Sequence, residues 1–250
     1  WPDMDVQLIS TTESWAQYAV AGPNARNLLR KIVDAEFDIS NEAFPFMACG
    51  AITVCGGLRA RLFRISFSGE LAYEIAVPTR YGDAMIRALI EAGEEFGGCA
   101  YGTEALGVMR IEKGHATGNE LNGTTTALNL GMGHMVSTQK DSIGAVLSRR
   151  DGLTGDDALK LVGFKPCRTS DPVPAGSHLM TKGSPIDAKH DQGYVTSTCY
   201  SPTLGHHIAI GFLKSGNQRL GEIVRLVSPL TNIEHDVEVV SAHFVDPEGN

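Results

Sequence analysis

Two carboxylates stand close together in the segment Arg64-Ile65-Ser66-Phe67-Ser68-Gly69-Glu70-Leu71-Ala72-Tyr73-Glu74-Ile75. Glu70 and Glu74 flank the start of an expected strand. Side chains alternate along a strand, so Tyr73 and Glu74 fall on opposite faces. A carboxylate facing a pocket can accept two parallel hydrogen bonds from a planar donor pair. A pterin or guanine edge offers such a pair, a ring N–H beside an exocyclic NH2. The ordinary alternative is a surface glutamate after the tight turn Ser68-Gly69-Glu70. A second segment runs from Tyr101-Gly102-Thr103-Glu104 to Arg110-Ile111-Glu112-Lys113-Gly114. It has the pattern of an amphipathic helix with a glycine stop, Leu106, Met109 and Lys113 sharing a face and Arg110 within reach of the carbonyls at its end. In a third, Tyr194 to Gly205, Ser201-Pro202 marks a turn. Its hydroxyls either line a cleft or satisfy the backbone of the turn.

Other chemistries lack their residues. The 8 histidines show no H-x3-H spacing and have no companion Cys pair, so no metal site is expected. The 5 cysteines are odd in number and contain no CxxC pair, the usage of free thiols in a reducing cytoplasm. No G-x-S-x-G, G-x-G-x-x-G or Walker A sequence occurs. The formal net charge of -8, with no block of Lys and Arg, argues against a nucleic-acid groove. No apolar run approaches the roughly 20 residues that span a bilayer.

The elements that must position these residues follow from periodicity. Strands are expected at 6–10, 16–21 and 72–77, and a hairpin at 51–55 and 58–67 around Gly56-Gly57. Helices are expected at 24–34, 79–94, 102–113 and 142–149. Beyond the polar loop 150–157 the pattern changes to short strands at 160–165, 177–181, 193–198, 207–213, 222–227 and 236–243. That spacing predicts a small antiparallel barrel or sandwich. The fold expected is α+β, with an α+β region over 1–150 and a β-barrel domain over 158–250.

Taken together, these segments resemble one family. Ile65 to Ile75 resembles the aminomethyltransferase pattern in which a T/S-G-E turn precedes a pterin-binding Glu. Leu71-Ala72-Tyr73, Tyr101-Gly102-Thr103-Glu104-Ala105 and Arg110-x-Glu112-Lys113-Gly114 resemble the folate-binding, carboxy-terminal region of heterotetrameric sarcosine oxidase α subunits more than the related glycine-cleavage T-protein. Asn129-Leu130-Gly131-Met132, Gly193-Tyr194-Val195-Thr196-Ser197, Tyr200 to Gly205 and Phe244-Val245-Asp246-Pro247 continue the likeness over nearly the whole chain.

The resemblance implies an aminomethyltransferase-like domain, truncated at its amino terminus, followed by a small antiparallel barrel. It implies tetrahydrofolate as the cofactor of this region, with FAD, FMN and NAD held only in the complete enzyme. It also implies β, γ and δ subunits as partners. In that enzyme, oxidative demethylation of sarcosine supplies a one-carbon unit that folate captures as 5,10-methylenetetrahydrofolate, while oxygen is reduced to hydrogen peroxide. Glu74 is carried over as the pterin anchor, Tyr73 as a second contact beside it and Glu70 as a turn residue that orders the site. Leu106 stands where the T-protein has a folate-contacting arginine. The residues nearest the reactive folate nitrogen are expected upstream of Trp1, so the isolated chain is expected to lack catalysis. A free-standing aminomethyltransferase or demethylase, and an inactive module for subunit assembly, are the competing readings.

Overall fold

In the computed structural model, which describes residues 2–137 and 139–248, the chain divides into two compact units at Gly102 and Thr103.

The first unit is a four-stranded antiparallel sheet with helices against one face. Its strands are β1 (Trp15–Ala21), β2 (Cys49–Val54), β3 (Leu58–Phe63) and β4 (Ala72–Pro78), in the order β1-β4-β3-β2. Helices α1 (Ala25–Leu29) and α2 (Gly82–Gly93) pack with the sheet around one apolar core. Alternation decides what each face presents. Tyr73, Ile75 and Val77 of β4 enter the core with Leu29, Leu62, Met85 and Leu89. Glu74 of the same strand points to the other face.

The second unit begins with α3 (Thr103–Lys113) and contains a closed barrel. Its six strands are β5 (Leu159–Pro166), β6 (His178–Met180), β7 (Asp191–Ser201), β8 (His206–Lys214), β9 (Ile223–Ser228) and β10 (Ile233–Val240). They run β10-β5-β8-β7-β6-β9, with every pairing antiparallel. Closure removes free sheet edges. The interior is filled by Phe164, Leu179, Val195, Leu213, Leu226, Val237 and Val239. All six barrel strands lie within a few residues of the expected spans. The division at Gly102 falls earlier in the chain than the change of pattern at 150–157, because α3 packs against β7 and β8.

Four expected elements differ, the first being the second hairpin strand, which ends at Phe63 instead of running to residue 67. Residues 6–10 form no strand; Leu8 and Ile9 are 95% and 81% exposed, and alternation without a neighbouring strand makes no ladder. The segment 142–149 forms only a 3-10 turn at Leu147–Arg149, with Ile143 and Val146 exposed. A helix that short needs an apolar face packed on something. The helix at 24–34 stops at Leu29, and tighter turns carry Ile32 and Val33 into the core.

Candidate functional site

The open face of the first sheet is built from small and polar residues around one acid. Glu74 pairs in register with Ala19 of β1 and Phe63 of β3, while Gln17 pairs with Ala76. Gln17, Ala19, Glu74 and Ala76 therefore share a face. Gln17 and Ala19 are exposed and Glu74 is half-buried. The Gln17 amide Nε2 donates to Glu74 Oε2. An ionised carboxylate offers about four lone-pair positions, of which this bond occupies one. Arg61, paired with Ala76 on β3, lays its guanidinium over the Trp15 ring at 3.9 Å.

The turn before β4 presents the acid. Gly69 adopts φ +95, a conformation costly for a residue with a Cβ, and its amide donates to Ser66 Oγ at 2.8 Å. Glu70 is exposed at the end of that turn. Tyr101 stands near both acids: burial, then the charges of Glu70 and Glu74, push its phenol above the usual tyrosine value. Glu74, Glu70, Gln17 and Tyr101 thus gather acceptors, one amide and one phenol in the same unit.

Tyr73 lies on the other side of the sheet. It is fully buried, and its hydroxyl accepts a hydrogen bond from Arg26 Nε at 2.7 Å. The same guanidinium donates to Asn41 Oδ1. The direct contact expected of Tyr73 does not fit this position, because alternation along β4 turns its ring away from the face that carries Glu74. It anchors the strand from beneath. Gln17 escaped the sequence reading because β1 and β4 are 57 residues apart. No local signal joins Gln17 to Glu74 before the register of the sheet is known.

The other motifs are consumed within the second unit. Arg110 donates from Nη2 to Ser197 Oγ at 2.8 Å and pairs with Glu120 at 3.4 Å. Ser197 donates to Glu120 Oε1 at 2.7 Å, and the Thr117 amide donates to Oε2 at 2.7 Å. Glu120 is fully buried. Burial works to raise its carboxyl, but the Thr196 hydroxyl, the Thr117 amide, the Ser197 hydroxyl and the Arg110 guanidinium outweigh it and hold the group below the usual range. Glu112 accepts from Ser201 at the β7–β8 turn, and its carbonyl accepts the Phe244 and Val245 amides, each at 2.9 Å. Lys113 pairs with Asp246 at 2.7 Å. Gly114 adopts φ +79, and a Cβ there would meet the Ala242 carbonyl oxygen at 2.5 Å. These polar residues stitch α3 to the barrel strands and to the chain that follows them. Arg110 reaches His115, Glu120 and Ser197 rather than the carbonyls of Lys113 or Gly114.

Among the described residues, no group of three or more His, Cys, Asp or Glu side chains could hold a metal ion. No helix of the described residues is long and apolar enough to cross a membrane. The 5 cysteines are unpaired.

A four-stranded sheet unit followed by a closed six-stranded barrel is an architecture with known relatives. Residues 1–140 match the GCVT N-terminal domain, and residues 160–246 match the glycine cleavage T-protein C-terminal barrel domain. The chain belongs to the glycine-cleavage T-protein family. Within that family it is 47% identical over 250 residues to "Sarcosine oxidase subunit alpha" of Rhizobium meliloti, covering 99% of this chain and 25% of that protein. It is 30% identical over 245 residues to "Aminomethyltransferase" of Halothermothrix orenii, covering 96% of this chain and 63% of that protein. The aminomethyltransferase T of the Bartonella henselae glycine cleavage system shares the fold. The TM-score is 0.72 at 23% identity, covering 93% of this chain and 60% of that one. The chain thus spans about a quarter of the length of the sarcosine oxidase α subunits it matches.

Proposed function

We propose that this chain is the tetrahydrofolate-binding part of a sarcosine oxidase α subunit. The observation that carries this reading is Glu74, a half-buried carboxylate on the open face of a sheet whose other face is sealed by core. Its two oxygens suit the ring N–H and exocyclic amine of a reduced pterin, and Gln17 uses only one lone pair. Tyr73 acts beneath the site by tying β4 to Arg26. The folate-binding region and the barrel domain correspond to residues 1–150 and 158–250 on this reading.

In the complete enzyme, the N-methyl group of sarcosine loses two electrons and two protons, which oxygen takes up as hydrogen peroxide. The one-carbon unit, as formaldehyde or its imine, joins the two folate nitrogens. Formaldehyde gives 5,10-methylenetetrahydrofolate and one water. Holding the acceptor at the site of release captures a reactive electrophile at high effective concentration. FAD, FMN, NAD and the other subunits belong to that larger assembly, and its oxidase activity is not expected of residues 1–250 alone.

Calorimetric titration with tetrahydrofolate, on the parent and on Glu74→Ala, tests the site. Losing a charged bidentate acceptor is expected to weaken binding about a hundredfold. Equal affinity of parent and variant would remove Glu74 from the site. An absence of binding by both the chain and a whole α subunit would favour the inactive assembly module.

A further inference from the structure

The geometry points to Gln17 as a positioning residue that fixes the Glu74 carboxylate for an amino-substituted pyrimidine edge. This inference rests on the folate-site reading above. Gln17 lies on β1, the edge strand of the sheet, and Glu74 on its neighbour β4. In the register Ala19 faces Glu74 and Ala76 faces Gln17, so the two polar side chains are diagonal neighbours on one face. Diagonal pairs are within reach of long side chains, and the flanking residues here are both alanines.

The chemistry fixes how the pair is arranged. An ionised carboxylate can only accept, so the glutamine must turn its NH2 toward Glu74 Oε2. An unrestrained glutamate on the open face of a sheet samples several rotamers. The amide holds the carboxylate in one of them and leaves Oε1 with its lone pairs. Two coplanar donors on a ligand then meet a carboxylate whose plane is already set, and less rotamer entropy is lost on binding. A ligand with only the ring N–H gains less from this, because it makes one bond where the other makes two.

The test is a double-mutant cycle on the full chain, read by calorimetry with tetrahydrofolate and with its 2-desamino-2-methyl analogue. The variants are Gln17→Met, Glu74→Ala and the double substitution, each first matched to the parent in thermal midpoint. Gln17→Met is expected to weaken tetrahydrofolate binding about tenfold and to narrow the preference over the analogue. In the Glu74→Ala background it is expected to add no further loss. Unchanged tetrahydrofolate affinity in Gln17→Met, with binding still lost in Glu74→Ala, would overturn the positioning role and leave the site standing. Additive losses, or equal losses for both ligands, would also overturn it. If Glu74→Ala keeps full affinity, or the parent binds neither ligand, the site reading falls and the inference falls with it.

Discussion

Glu74 in the first unit and Glu120 in the second are both acids set among polar neighbours, yet they do opposite things. Glu74 is half-buried, receives one hydrogen bond from an exposed amide, and keeps most of its acceptor capacity. Glu120 is fully buried and receives bonds from a backbone amide and two hydroxyls while facing a guanidinium. An acid whose lone pairs are all spent inside the fold stabilises it and is closed to ligands. An acid with unspent lone pairs at a surface contributes little stability and remains able to recognise donors.

The largest expected contrast is in stability. Glu120→Ala leaves Arg110 buried without its partner and is expected to destabilise the second unit by about 3–5 kcal/mol, read by chemical denaturation. Glu74→Ala, measured the same way, stays within about 0.5 kcal/mol of the parent. Comparable losses for the two would break the distinction between them. Acidification sharpens it. The folded-state value of Glu120 is lowered, so its contribution is fully present above the ordinary carboxylate range of about 4 and is lost as pH falls through the lowered value. The denaturation midpoint of the second unit is expected to fall over that window, and Glu120→Gln should flatten the dependence.

Cysteines offer a second contrast of the same kind. Burial, then the charge of Glu112, pushes the Cys199 thiol up to about 11, while Cys49 is exposed on the first sheet. Only the thiolate attacks a disulfide reagent, so Cys199 is expected to react at least about tenfold more slowly than Cys49 at neutral pH. Mass spectrometry of partially labelled protein reads this directly, and equal labelling would place Cys199 in a more open environment. The smallest expected effect is that of Tyr73→Phe. It keeps the buried ring and removes the acceptor for Arg26, costing about 1 kcal/mol in stability. A loss of folate affinity larger than that would return Tyr73 to the ligand side of the sheet.

Much of this architecture was legible in the chain. The hairpin at Gly56-Gly57, β4, α2, α3 and all six barrel strands follow from alternation, helical spacing and turn residues, which act over a few neighbours. The opposite facing of Tyr73 and Glu74 follows from the same rule. Where local pattern met no surface to pack on, as at 6–10 and 142–149, the expected element did not form. The motif residues Arg110, Glu112, Lys113 and Ser201 were legible as family markers but not as stitching. Their side-chain partners lie between 10 and 133 residues away and are set by how α3 meets the barrel.

The sequence by itself determined the class of fold and the family, because each is written in residue types and short-range spacing. Only the tertiary structure decided that Tyr73 belongs to the core with Arg26, that Gln17 stands beside Glu74, and that Glu120 is spent on Arg110, Thr117 and Ser197. Strand register and helix docking bring together residues far apart in the chain, and a hydrogen bond depends on that distance in space rather than along the sequence.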